Sequence, residues 1–161
     1  MRPGIALITR LACLLACIGV LGSGLPVQAA TTERVVVNRF SGVAIEGFDP
    51  VAYFVDGTAE QGKPEFEANL WGAVWRFRNE GNRVSFLAHP EVYGPQFGGY
   101  DPADIARGVT IPGNPRFFVI SAQRLYLFSR EDNRDAFAAD PDRFLFEVGK
   151  RWPALQDQLS Q

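Results

Sequence analysis

The chain has 161 residues, 47% of them hydrophobic and 21% charged, with a formal net charge of −2. That composition excludes a disordered or collagen-like chain, and two cysteines are too few for a disulfide-built miniprotein. The length suits one domain.

Residues 1–30 read as a secretory signal peptide: Arg2 and Arg10 precede an apolar run over 11–21, and Val27 and Ala29 set small side chains before a cleavage point near Ala29 or Ala30. The run falls short of the roughly 20 residues that span a bilayer, and Gly22, Ser23, Gly24 and Pro26 break it, which argues against an uncleaved anchor. Lipidation at Cys17 is the other alternative, with only six residues separating it from Arg10. Both cysteines, Cys13 and Cys17, lie in this segment, so the remaining 131 residues, 31–161, form a single domain without thiol or disulfide chemistry. Losing Arg2 and Arg10 leaves fourteen basic against eighteen acidic groups, which favours neither nucleic acid nor anionic lipid as a partner. The expected destination is export, to the periplasm in a Gram-negative bacterium and otherwise to the medium, with no membrane span after cleavage.

Beyond the β-branched run Val35-Val36-Val37, Asp49-Pro50 predicts a helix start running through Val51, Ala52 and Tyr53, with Asp49 accepting first-turn amides. Phe66, Ala68 and Leu70 alternate with polar residues, Trp71-Gly72 reverses the chain, and Ala73, Trp75 and Phe77 share one face of a return strand. The stretch 77–93 then recurs at 128–144, an offset of 51 residues, without a gap. Phe77, Glu80, Asn82, Arg83, Phe86, Ala88 and Pro90 equal Phe128, Glu131, Asn133, Arg134, Phe137, Ala139 and Pro141, while Tyr93 faces Phe144. The repeated unit is a strand ending in an aromatic, then a helix, then a second helix starting at the proline with its aromatic turned inward.

Before the second copy, Phe117, Phe118, Val119 and Ile120 pair across Ala122-Gln123 with Leu125, Tyr126, Leu127 and Phe128 as another hairpin. Phe144, Val148 and Trp152 follow at helical spacing, and Pro153 is expected to end that helix or to start a last short one. The fold class is therefore α+β, with a small, mainly antiparallel sheet from two hairpins, helices packed on one side, and an internal duplication.

The chain resembles the exported YHS-domain proteins in Gly47-Phe48-Asp49-Pro50-Val51-Ala52-Tyr53-Phe54, Gly98-Gly99-Tyr100, Trp75-x-Phe77 and Asn82-Arg83-x-x-Phe86-x-Ala88-x-Pro90-x-x-Tyr93-x-Pro95. The resemblance runs from about Gly42 to Trp152-Pro153-Ala154-Leu155. It implies kinship with smaller domains regarded as metal-binding modules that act through cysteines. Where those relatives carry cysteine, this chain has Ala52, Arg78 and Asn82, and where exported relatives carry cysteine or selenocysteine after Gly-Gly-Tyr it has Asp101. A soft-metal or thiolate-redox role is therefore not expected, although a carboxylate binds hard cations and accepts hydrogen bonds.

His89 is the only histidine, which excludes a multi-histidine metal site within one chain. Its repeat partner Asp140 makes it read as a polar position before a helix-starting proline. A nucleophilic triad on Ser85 or Ser121 would need this same His89, and no strained nucleophile elbow is present. Asp101 and Asp104, with Asp49 and Glu46, read either as an acidic pocket for calcium or magnesium or, for Asp101 and Asp104, as a helix cap and first-turn charge. Gly98-Gly99 reads as a turn rather than an anion cradle. Among the aromatics, Tyr53 and Tyr100 stand out for their polar ends near the acidic loop.

These residues lead to a non-catalytic binding or interaction module without a cofactor, taking a small ligand or a protein partner at Asp49, Tyr53, Tyr100 and Asp101, where the turn at 49–53 would face the loop at 98–101. Metal handling through oxygen ligands is the alternative, and a hydrolase centred on His89 is a third reading.

Overall fold

A computed structural model describes residues 34–159, so the expected signal peptide lies outside the described residues. The elements in chain order are α1 (Ala52–Val55), β1 (Lys63–Leu70), β2 (Ala73–Phe77), α2 (Glu80–Ala88), α3 (Pro90–Tyr93), α4 (Pro102–Ile105), β3 (Asn114–Ser121), β4 (Arg124–Phe128), α5 (Glu131–Ala139) and α6 (Pro141–Leu159). Single 3-10 turns at Ile45–Gly47 and Gln96–Gly99 precede α1 and α4. The fold is α+β. Its strands form two separate antiparallel pairs, β1 with β2 and β3 with β4, rather than one sheet.

Both hairpins close through two-residue turns with positive φ at each central position, as the type I′ geometry that matches strand twist requires. Trp71 and Gly72 sit at +55° and +76°, and Ala122 and Gln123 at +48° and +57°. Each hairpin also carries one register irregularity, between Lys63 and Glu67 and between Asn114 and Phe118, again 51 residues apart. β1 and β3 have the same length, as do β2 and β4, and α2 and α5.

β2 alternates as the sequence predicts, burying Ala73, Trp75 and Phe77. β4 does not alternate: Leu125, Tyr126, Leu127 and Phe128 are all buried. Leu125 and Leu127 join the core around Trp75, Phe77 and Phe86, whereas Tyr126 and Phe128 pack with Phe137 and Phe144. This strand is a wall between two cores, so apolar groups cover both of its faces, as in a strand with no solvated side. Tyr53 fastens the halves together. Its ring meets Phe118 edge-on at 4.8 Å, and its hydroxyl donates to the Pro115 carbonyl at 2.9 Å.

Two boundaries differ from expectation. α1 begins at Ala52 rather than at Pro50, because Asp49 Oδ1 takes the Val51 amide at 2.8 Å in a turn ahead of the helix. Pro153 neither ends nor starts a helix, since α6 runs through it to Leu159. A proline costs a helix interior about 3 kcal/mol, but the α6 stripe of Val148, Trp152, Leu155 and Leu159 packs on Tyr100, Ile105 and Val36 on both sides of it. Trp152 meets the rings of Phe97 at 5.5 Å and Tyr100 at 6.2 Å. Among the described residues no helix is long and apolar enough to cross a membrane.

Ala122 and Gln123 are exposed and lack the glycine or asparagine their conformation favours. Replacing them together with Asn-Gly (A122N/Q123G) is expected to raise stability by about 1 kcal/mol in urea unfolding. An unchanged or lowered midpoint would contradict a strained turn.

Candidate functional site

Two aspartates organise the molecule, each fully buried and each ahead of a short helix. Asp49 Oδ1 accepts from the Val51 amide at 2.8 Å, while its Oδ2 accepts from the Arg78 amide at 2.8 Å and from Asn82 Nδ2 at 2.6 Å. Asp101 Oδ1 accepts from the amides of Ala103 at 2.8 Å and Asp104 at 3.3 Å. Its Oδ2 takes the Ser129 amide at 2.8 Å and Asn133 Nδ2 at 2.6 Å, and the Ser129 hydroxyl, 2.9 Å from it and 2.8 Å from Asp104 Oδ2, shares its one hydrogen between the two carboxylates. Each carboxylate thus ties a turn to the residue after a β-hairpin and to the first turn of the helix that follows. Donors to both oxygens are what a buried carboxylate needs to offset its lost hydration.

The approach to each aspartate is a 3-10 turn with left-handed residues, Glu46 and Gly47 in the first and Phe97, Gly98 and Gly99 in the second. Gly98 could carry no side chain there: a Cβ would lie 1.9 Å from the Arg34 carbonyl oxygen. Its own carbonyl accepts from the Val36 amide at 2.8 Å, and the Val36 carbonyl accepts from Ile45 at 3.2 Å. The glycine pair therefore serves a close backbone crossing that joins the two turns.

All four sequence candidates are interior. Asp49 and Asp101 bind amides and asparagines, Tyr53 bonds to Pro115, and Tyr100 packs on Trp152. The expected surface between the turn at 49–53 and the loop at 98–101 is corrected accordingly: the functional groups of these segments are buried and turn to partners of their own. Burial pushes the Tyr53 hydroxyl well above the usual tyrosine range, and the nearby Asp49 and Glu46 charges push it further. Glu46 lies instead in a polar surface recess with Asn38, Ser41 and Arg76. His89 links α2 to α3 with its side chain 65% exposed, its ring 3.8 Å from Glu91, as its reading as a polar position before Pro90 anticipates. Among the described residues no three histidine, cysteine or acidic side chains group as metal ligands.

A third buried carboxylate, Asp104, links this node to the surface arginines. It takes the Ser129 hydroxyl at 2.8 Å and Asn133 Nδ2 at 3.2 Å, is bridged by Arg107, and has Arg130 at 3.8 Å. Arg107 is also within 3.4 Å of Asn133 Oδ1. This anchoring sets Arg107 at the rim of a cleft of about 560 Å³ between α4, α5 and α6, whose wall is Ala103, Ala106, Ala136 and Phe144. Arg143 flanks it with its guanidinium 4.8 Å above the Phe144 ring, and Glu147 lies at its edge. A smaller recess of about 310 Å³ holds Trp71 and Trp75 with Val35 and Pro95.

Arg107, Ser129, Asn133, Ala106 and Arg143 were not singled out as site residues from sequence. A signal existed for the node itself: Gly47-Phe48-Asp49-Pro50 recurs as Gly99-Tyr100-Asp101-Pro102, 52 residues on, and aligns Asp101 with Asp49 as the 51-residue offset aligns Asn133 with Asn82. No comparable signal marks the cleft, which depends on how α6 lies across α4. Comparison with protein-family models, curated proteins and solved structures found no match.

Burial raises the Asp104 carboxyl, but hydrogen bonds from Ser129 and Arg107 and the Arg107 charge outweigh it and hold the group below its ordinary value. A carboxyl lower when folded than when unfolded contributes stability that is full above the unfolded value of about 4 and is lost as pH falls through the folded one. Urea midpoints should therefore decline on the acid side, and Asp104→Asn should flatten that decline. An acid-side slope equal in wild type and variant would refute the assignment.

Proposed function

We propose that this chain is an exported, non-catalytic binding module of the YHS-domain kind, built from two copies of one hairpin–helix unit, and that it binds at the cleft between α4, α5 and α6. The observation that carries this reading is the division of labour among polar groups. Asp49 and Asp101 spend their oxygens on interior donors, so neither is available as a general base or as a cation ligand without dismantling the node. His89 stands in solvent beside Glu91, with neither ring nitrogen hydrogen-bonded to a serine. Arg107 and Arg143, by contrast, are presented beside an apolar wall, the mixture expected of a ligand site.

The recurrences at offsets of 51 and 52 support the two-copy reading, and the motifs around Asp49, Asn82 and Tyr100 support the kinship. Metal handling through oxygen ligands is weakened by the same hydrogen-bond inventory.

The test is a set of ¹H–¹⁵N correlation spectra on protein expressed from the full sequence, titrated with small aromatic acids, amides and amines. Perturbations should concentrate on the amides of Ala103, Ala106, Arg107, Ala136 and Arg143, and Ala106→Phe should abolish them while the spectrum stays dispersed. Perturbations scattered over the surface, or unchanged in that variant, would overturn the reading. Melting temperatures should also be flat across Ca²⁺, Mg²⁺, Mn²⁺, Zn²⁺, Cu²⁺ and a chelator. A saturable rise lost in Asp101→Ala would favour the metal alternative.

A further inference from the structure

The cleft's chemistry narrows its occupant. Its lining carries the guanidinium groups of Arg107 and Arg143 and one carboxylate, Glu147, which is already held by Arg151 and by Lys150, the latter at 3.0 Å; Arg107 is balanced by Asp104, so the charge left over is that of Arg143. Arg107, which lines the cleft, spends Nη2 on Asp104 and Asn133, which fixes its plane and leaves Nε and Nη1 without a hydrogen bond among the described residues. Arg143 makes no ion pair among the described residues and rests on Phe144 instead. A planar, pre-positioned guanidinium loses little freedom on binding and matches a carboxylate with two parallel N–H donors.

The apolar part of the occupant can be sized from within the molecule. Ala106 lies 52 residues after Phe54, and Phe144 lies 51 after Tyr93. In the first half the Phe54 ring meets Tyr93 edge-on at 5.4 Å, so a side chain fills the space between α1 and α3. In the second half alanine stands where that phenylalanine stands, and the space beside Phe144 is open. What the cleft lacks relative to its counterpart is one aromatic ring.

Resting on the binding reading above, we propose that the cleft takes a small organic monoanion of the arylacetate type. Its carboxylate lies between Arg107 and Arg143, and its ring lies against Ala103, Ala106, Ala136 and Phe144. The charge supplies orientation and the ring supplies most of the buried area.

The test compares phenylacetate, phenylacetamide and acetate by the same spectra, in wild type, Arg143→Gln and Ala106→Phe, with thermal unfolding as the check that each variant is folded. Phenylacetate should bind at least about tenfold more tightly than the neutral amide, since a charge-assisted pair is stronger than a neutral one. Acetate, without the ring, should bind more weakly than phenylacetate. Arg143→Gln should cut the acid-to-amide ratio several-fold, and Ala106→Phe should abolish binding of both. Equal binding of acid and amide, blocked by Ala106→Phe, would overturn the anion preference while the cleft reading stands. Binding of neither probe, in any of the proteins, would overturn both.

Discussion

A carboxylate sealed away from water must be met by donors on both oxygens, and Asp49 and Asp101 meet that requirement with groups that come from three different parts of the chain. Each takes amides from the turn that follows it, an amide from the residue after a hairpin, and a side-chain amide from the helix beyond. The short helices α1 and α4 are too brief to hold themselves in place, since isolated helical turns are unstable in water. Their position comes from these aspartates and from the apolar groups that flank them, Tyr53 in α1 and Ile105 in α4, both fully buried. Removing the acceptor would leave a partly buried asparagine and amide at Asp49, and a buried asparagine and partly buried amide at Asp101, without their partner, which is more costly than the net gain of the bonds themselves.

Around these nodes the two halves share β4 as a common wall, with a leucine face toward one core and an aromatic face toward the other. Ala52 and Asp104 are both buried and stand 52 residues apart. Only the second supplies an extra carboxylate, and that carboxylate fixes Arg107 beside the cleft. Phe54 closes the space in the first half that Ala106 leaves open in the second. The space between α1 and α3 is thus filled and the cleft between α4, α5 and α6 open.

Both hairpins, the turns at Trp71-Gly72 and Ala122-Gln123, and the proline-started α3 and α6 were legible in sequence, because turn geometry and strand alternation are local. Asp101 as the cap of α4 was legible for the same reason. The division of the strands into two sheets was not, because an apolar run such as Leu125-Tyr126-Leu127-Phe128 looks alike whether its second face meets its own sheet's helices or another core. Nor was the passage of α6 through Pro153, which tertiary packing of Trp152 and Leu155 decides against local propensity. The aspartates and tyrosines were expected at a surface and lie in the interior. Polar side chains next to aromatics are equally consistent with a wet pocket and with a buried, hydrogen-bonded node, and only the positions of Asn82 and Asn133 distinguish the two.

Each aspartate acts through its asparagine as a latch between a turn and a helix. A double-mutant cycle on stability tests it most directly, pairing Asp49→Ala with Asn82→Ala and Asp101→Ala with Asn133→Ala, with urea unfolding as the readout. Coupling of about 1.5–3 kcal/mol is expected within each pair, the range for hydrogen bonds to charged groups, with additivity between Asp49 and Asn133. Additive effects within the two pairs would contradict it.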